Sequence, residues 1–420
     1  MSLARTVFII GGTLSQRVGN VFLLPVMVAT MSAADFTRFG LFTSAVAVAV
    51  PLLTQNLHMS VGRMYFDYAT PEDRAAAFLS TLVVALFGIV AGGAAIIAVL
   101  QAIGVQDPLT FGRLDFRLLL IACAFFLVVM QAGAIFSRVK DRNILFAAAS
   151  TISGFGLLLG YVILEPFFAD KVLALVYSYI VAQGLAFLCT TPIYGEAIRA
   201  GRLRPYHIGP AFAYASGTTI YVISTWVIAQ AGRWVGGFTL PEAAAAGFTL
   251  ISYGMVVLSV LINAYAETRR IPFLNAFVAG NLSDALAIML RVTRRNLFGI
   301  VGCYAVGVVI IYYKDMLLPV DYELQMRWLL PALLYSVGAV FFNLAFWLFG
   351  ALKETWWLAV VSVLAAASYA GLLFWLPMID VSTLLWCSAI VMAVQAVVLL
   401  VLVRWRIRQR LAGLRSEKVL

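Results

Sequence analysis

Charge is what this sequence has least of. Its 420 residues include 19 acids and 29 lysines and arginines, so 11% is charged against 63% hydrophobic. Soluble domains carry roughly a quarter of their residues as charge, which excludes a soluble enzyme or a soluble nucleic-acid binder. Acids are also missing where ion-handling spans need them, because no Asp or Glu lies near the middle of a long apolar run. Helices that move sodium or metal ions bury carboxylates there. With two histidines and four cysteines, little is left for metal ligation. Cys123, Cys189, Cys303 and Cys387 stand singly in four separate apolar runs, without ligand spacing, and read as buried inert thiols. A phosphate-cradling Gly-rich loop, a metal triad and a nucleophile elbow are absent too. The expectation is a protein without metal, cofactor or ATP machinery, and not an enzyme.

Long apolar runs take the place of charge. They recur from end to end at about 20 residues each, the length that crosses a hydrocarbon core. Hydropathy predicts an all-α polytopic membrane protein with spans near 7–32, 38–64, 76–104, 116–137, 144–164, 171–193, 211–233, 242–266, 296–313, 329–351, 356–376 and 382–403. A transmembrane barrel would show short alternating strands instead. Arg5 is the only charge ahead of the first run, which continues past the short core of a leader, so no cleaved signal peptide is expected.

The chain repeats itself. Residues 33–66 return in outline as 240–273, at an offset that matches Asp35 with Glu242, Gly40 with Gly247, Asn56 with Asn263 and Arg63 with Arg270. Each copy is an acid, an apolar run of span length, then asparagine and arginine. Matches at polar and small positions are the ones that apolar helices share least by chance, and duplicated helix sets build many transporters. The predicted organisation is a six-helix bundle over 1–193, a cytoplasmic connector at 194–210 with two prolines and three glycines, a second six-helix bundle over 211–403, and a basic tail at 404–420.

Loop charge orients the chain. With both ends cytoplasmic, the outer segments hold only Arg38, Arg113, Arg117, Lys171, Arg233, Lys314 and Arg327, Arg17 lies within the first span, and the remaining lysines and arginines are inside. Such a bias in short loops sets topology. It also accounts for the net charge of +10 without a nucleic-acid partner. The tail reads as a stop-transfer flank against anionic headgroups. Segment 267–295, with Arg291, Arg294 and Arg295 near Leu286, Ile288 and Leu290, is expected to lie partly as an amphipathic helix on the inner surface.

Polar residues inside spans are the candidate site. A cation at mid-membrane costs roughly 2.5–3.5 kcal/mol on insertion scales, so it faces a cavity or a partner. Thr13, Arg17 and Asn20 recur at helical spacing with Gln16 beside them, and Arg17 lies too deep to reach headgroups easily. In the second span Asn56, Ser60 and Arg63 share one stripe, and Gln55, His58 and Gly62 its neighbour. The eighth repeats the first stripe as Asn263, Glu267 and Arg270, and the seventh aligns Trp226, Gln230 and Arg233. Arg63, Arg233 and Arg270 read either as helix-end anchors or as a cationic lining for an anionic passenger, whose phosphates arginine forks would match. His58, and with it Glu267, is a candidate for ion coupling. The plainer reading of His58 is a hydrogen bond to a neighbouring helix.

The segment WVIAQAGRWVGGFTLPEAAAAGFTLISYGMVVLSVLINAYAETRRIPF resembles the seventh- and eighth-span signature of polysaccharide transport proteins. These are the Wzx-type flippases of lipid-linked oligosaccharides, in the multidrug/oligosaccharidyl-lipid/polysaccharide (MOP) exporter superfamily. Arg233, the run Glu242 to Phe248, and Pro272 occupy the signature places, while Gly232 stands where the family usually has an Asp. GRMYFDY at 62–68, SRVKDRN at 137–143 and GALKET at 350–355 are similar to the family's cytoplasmic loops. The resemblance implies about twelve helices in two six-helix bundles, a V-shaped fold around a cationic cavity, and alternating access. Its substrate would be a polyprenyl-pyrophosphate-linked oligosaccharide, O-antigen or another polysaccharide repeat unit, carried across the bacterial inner membrane. Arg17, Arg63 and Arg270 match the pyrophosphate-binding arginines of related lipid flippases by span and approximate depth. Membrane lipids and a polysaccharide polymerase are the implied partners of a monomer. A drug or metabolite exporter of the same superfamily, a membrane glycosyltransferase or polymerase, and a scaffold remain the alternatives.

Overall fold

The computed structural model describes the backbone of residues 3–65, 67–102, 110–111, 114–317, 322–352, 354, 356–376 and 379–417. Side-chain surroundings are described for these except 3–7, 9–10, 13–14, 16–18, 20, 63–64, 100, 110–111, 114, 256–257, 259–265, 267–268, 270–271, 278, 317 and 410–417. The described chain is helical apart from its turns and a two-residue antiparallel ladder, β1 (Thr110–Phe111) with β2 (Leu114–Asp115).

The helices are α1 (Leu3–Thr30), α2 (Ala33–Thr54), α3 (Leu57–Met64), α4 (Pro71–Phe87), α5 (Gly93–Ala102), α6 (Phe116–Val139), α7 (Asn143–Leu164) and α8 (Lys171–Ala200). They continue as α9 (Ile208–Thr239), α10 (Glu242–Val278), α11 (Leu282–Tyr312), α12 (Lys314–Leu317), α13 (Leu329–Leu352), α14 (Trp356–Trp375) and α15 (Val381–Glu417). Among the described residues ten helical segments are long and apolar enough to cross a membrane. Helices α1 and α10, of 28 and 37 residues, complete the twelve by length.

Side chains written into the sequence start these helices by accepting the backbone N–H groups that a first turn leaves orphaned. Ser32 accepts from Asp35 N, Thr70 from Asp73 N with Pro71 at the first helical position, and Asp170 from Val172 and Leu173. Asn281 and Asp380 cap α11 and α15 in the same way. The repeat is visible here, since Asp35 and Glu242 both fall in the first turn of their helices.

Two expectations are corrected. The second span is not one helix. Gln55 and Asn56 both adopt left-handed backbone, φ 49° and 52°, and divide α2 from α3. Neither glycine nor proline marks the place. The freed polar groups are met locally: Asn56 N donates to Thr54 Oγ1 at 3.2 Å and Gln55 Nε2 to the Leu52 carbonyl at 3.0 Å. Against this break lies a π turn, Gly88–Gly92, that joins α4 to α5. A Cβ on Gly88 would sit 2.2 Å from the Leu53 carbonyl oxygen, so only glycine permits the approach.

Segment 267–295, expected as a surface helix, is instead the continuation of α10 and the first turns of α11. Pro272 lies within α10 without ending it, and the reversal takes place at 279–281, with Gly280 at φ 76°. The basic tail is also helical as far as Glu417, and Arg406 within it grips Glu354 through Nε and Nη2, at 2.6 and 2.8 Å.

The chain separates into two compact units, Met1–Thr219 and Ile220–Leu420. In the first, α7 packs on α1 and α8, and α6 on α8. Phe78 and Phe136 stack face to face there, centroids 4.2 Å apart. In the second, α13 and α15 form the core with α10, α11 and α14, around the buried Trp328, Phe273, Phe349 and Tyr369.

Between α8 and α9 the described connector is short and tied down. Arg204 pairs with Asp73 of α4, Tyr206 Oη donates to the same carboxylate at 3.2 Å, and the Arg204 N–H donates to Ser80 Oγ at 2.9 Å. His207 is buried between the Tyr206 and Tyr68 rings at 4.0 and 4.5 Å, and burial raises the Tyr68 phenol above its ordinary range, which keeps it neutral. Asp73→Ala should free the connector, and limited trypsin digestion should cut beside Arg202 faster than in the parent. Unchanged cleavage would show that His207 packing holds the segment without the ion pair.

Candidate functional site

Of the sequence-derived candidates, the side chains of Gln16, Arg17, Asn20, Arg63, Asn263, Glu267 and Arg270 fall outside the described residues. Asn56, His58 and Arg233 fall within them.

In the first unit, Asn56 does not share a helical stripe with Ser60, because its left-handed backbone lies outside both helices. Its amide Nδ2 donates to Thr219 Oγ1 at 3.4 Å, and the residue is buried. Ser60 turns inward on its own helix and donates to the Leu57 carbonyl at 2.6 Å. His58, 1% exposed, bridges α3 to α6: its Nε2 lies 3.1 Å from Gln131 Oε1, and its Nδ1 lies 3.3 Å from Thr54 Oγ1. Both nitrogens are thereby engaged within the unit. Gln131 lies 73 residues on, in the fourth span, and no local pattern around His58 points to it.

In the second unit, Arg233 of α9 is 3% exposed. An anchor at a helix end would carry its guanidinium outward to headgroups; this one is enclosed. The guanidinium carbon lies 6.0 Å from the centre of the Tyr253 ring on α10. Tyr253 and Tyr335 of α13 are the titratable groups that face it. Its Nε and Nη2 make no hydrogen bond, and one turn earlier the buried Gln230 Oε1 is unbonded as well.

The neighbouring position explains why no carboxylate comes to it. A Cβ on Gly232 would stand 2.8 Å from Tyr369 Oη and 3.1 Å from Phe248 Cζ. An aspartate in that place has no room, and aromatic faces replace the counter-charge. Other cations at helix ends do find acids: Arg38 pairs with Asp35 and Asp170 at 3.1 and 3.0 Å, and Lys140 and Arg142 with Glu196 at 2.8 and 3.3 Å. Among the described residues no acid forms an ion pair with Arg233.

A buried N–H left without a partner costs about 1–3 kcal/mol, and a desolvated cation without an anion costs more. Tyr253 and Tyr335 were not singled out in the sequence; two tyrosines in apolar runs on separate helices carry no spacing that links them to Arg233.

No family model matches the sequence, and no curated protein matches it. Solved structures do match the fold. An outward-facing multidrug resistance MATE family transporter of the MOP superfamily aligns with a TM-score of 0.65 at 14% identity, over 97% of this chain and 95% of that one. An inward-facing MATE family transporter of the MOP superfamily aligns at 0.59 and 14%, over 97% and 96%. A MOP superfamily transporter from Pyrococcus furiosus, for which reverse polarity of the binding pocket suggests a different function, aligns at 0.59 and 11%, over 96% of each chain. These identities speak to architecture, and on that ground the chain has the twelve-helix fold of the MOP superfamily transporters.

Proposed function

We propose that this protein is a flippase that carries a polyprenyl-pyrophosphate-linked oligosaccharide from the inner to the outer leaflet of a bacterial cytoplasmic membrane by alternating access. The observation that carries the reading is Arg233: a guanidinium enclosed in an apolar, aromatic setting with two nitrogens unbonded. A cation built in without an acid favours an anionic passenger, and a planar fork suits phosphate oxygens. Arg17, Arg63 and Arg270 are the further guanidinium groups assigned to the pyrophosphate, with Gln16, Asn20, Asn56 and Asn263 as hydrogen-bonding companions to it and to the sugars. The multidrug transporters that share the fold keep a second reading open, a small-molecule exporter of the same superfamily.

On the flippase reading both chain ends are cytoplasmic, the polyprenyl tail stays in lipid while the charged head crosses, and the protein acts as a monomer that can hand its product to a polymerase. Movement is driven by an ion gradient, the membrane potential or the substrate's own gradient.

The test is reconstitution in proteoliposomes with a polyprenyl-pyrophosphate oligosaccharide, following glycan accessibility to an enzyme outside. Protein-dependent exposure is expected, and the Arg17→Ala, Arg63→Ala double variant should lose it while still inserting in the membrane. Lysine at both places should restore only part, since it lacks the forked geometry. Full activity of the double alanine variant would remove the pyrophosphate assignment. Absence of glycan movement together with efflux of a cationic drug would favour the exporter.

A further inference from the structure

We infer that the first unit holds a binding site for the headgroup phosphate of an anionic phospholipid, where the turn from α6 to α7 meets the last turn of α8. The turn runs through SRVKDRN, with Asp141 in left-handed backbone at φ 62°. It brings two cations to one carboxylate of α8. Lys140 Nζ donates to Glu196 Oε2 at 2.8 Å, and Arg142 Nη2 to Glu196 Oε1 at 3.3 Å. Arg199, three residues along α8, faces the same carboxylate. Both Glu196 oxygens are already engaged by the turn, and among the described residues Arg199 forms no hydrogen bond and no ion pair.

Positive charge is therefore left over. Residues 138–142 and 196–200 set Arg138, Lys140, Arg142 and Arg199 against Asp141 and Glu196, so cations outnumber acids two to one. Arg138 lies over the Phe146 ring at 5.9 Å, and Lys140 is mostly covered. The exposed pair is Arg142, whose side chain is 58% accessible, and Arg199. Two guanidinium forks beside a carboxylate that is already occupied suit the oxygens of a phosphate.

Helix α8 also says which source of phosphate fits. Val181, Leu185 and Leu188 recur at four and three, are 48–58% exposed, and lie on the face that carries Arg199 about three turns further on. The opposite end of the helix is Lys171, about 42 Å from Arg199 along the axis. A bilayer measured through its headgroups is about 40–45 Å thick, so Arg199 stands at headgroup depth when Lys171 does. Acyl chains lie along the apolar stripe while the phosphate meets Arg199 and Arg142, and a free anion has no use for such a stripe. Basic pockets between transmembrane helices at the membrane surface bind lipid headgroups on this principle. The site belongs to the first unit and is independent of which passenger the protein carries.

Native mass spectrometry of the full chain, delipidated in detergent and titrated with phosphatidylglycerol or phosphatidylcholine, tests this. Phosphatidylglycerol should be retained in preference. The Arg142→Gln, Arg199→Gln variant should bind it about tenfold or more weakly, since each lost bond is a charge-assisted one. Glu196→Gln keeps an acceptor for the turn and removes the competing charge, so it should bind phosphatidylglycerol more tightly than the parent, a gain that misfolding does not imitate. Arg294→Gln should bind like the parent, because that guanidinium belongs to the second unit and lies over Phe298 at 5.7 Å. Equal retention of the two lipids, undiminished binding by the double variant, weaker binding by Glu196→Gln, or displacement of phosphatidylglycerol by millimolar inorganic phosphate would each overturn the proposal, the last by making the site one for free phosphate.

Discussion

Arg233→Met is expected to stabilise the protein and silence it. Removing the guanidinium removes two buried, unbonded donor nitrogens, each of which costs about 1–3 kcal/mol. Methionine has a similar length and fills the space without polar atoms. Against that stands the loss of attraction to the Tyr253 face, 6.0 Å away, which is worth about 0.5–2 kcal/mol. At the lower ends of these ranges the balance favours the variant by about 1–2 kcal/mol, visible as a higher apparent melting temperature of purified protein. Glycan movement in proteoliposomes should meanwhile fall by about a hundredfold, the equivalent of two charge-assisted hydrogen bonds. Arg233→Lys should fall between the two on both scales, having charge but no fork. The opposite signs are what distinguish the assignment from a structural one. A variant that loses both stability and activity would make Arg233 a packing residue.

The second large effect is at Gly88. A methyl group there would meet the Leu53 carbonyl oxygen at 2.2 Å, a backbone atom that cannot swing aside. Helix α2 or the π turn must shift, and overpacking of this kind costs about 1–3 kcal/mol or more. Gly88→Ala should therefore lower the apparent melting temperature by several degrees, at roughly 2–4 °C per kcal/mol for a unit of this size. Gly371→Ala is the control. It lies in α14 with nothing within 4 Å of the added methyl, and alanine is the better helix former. That variant should match the parent or exceed it. A Gly88→Ala protein as stable as the control would mean that the α2 break and the π turn move apart without cost.

Much of this architecture was legible in the residues. The span starts follow from capping side chains that are local signals: Ser32 ahead of Asp35, Thr70 ahead of Pro71, Asp170 ahead of Lys171. Apolar run length and the recurrence of the Asp35 and Glu242 segments supplied helix number. The departures come from long-range or cancelling effects. The break at Gln55–Asn56 carries no breaker residue, and it exists because Thr54, Thr219 and the Gly88 turn receive its polar groups and its bulk. The copy of that segment in α10 runs on unbroken through Pro272, although proline reads as a stop.

The site divides in the same way. Arg233 as a helix-end anchor and Arg233 as an enclosed cation have the same hydropathy and the same spacing. What separates them is the packing of Tyr253, Tyr335 and Tyr369 from three other helices, and the filled space at Gly232. His58 shows the converse. Its spacing allowed coupling, and its partners Gln131 and Thr54 are a matter of tertiary pairing.

The joint at Gln55–Asn56 gives the segment that follows it a mechanical character. Position 63 stands seven residues past the joint, about 10 Å along the axis of α3. A hinge angle of 20° there would sweep that position by about 3.5 Å, as a lever arm of that length must. Backbone dihedrals at two residues would suffice, with the cylinder of α2 left at rest. Rigid rods of helix transmit a displacement only along themselves; a rod jointed near its end converts a small rotation into a stroke the size of a hydrogen bond.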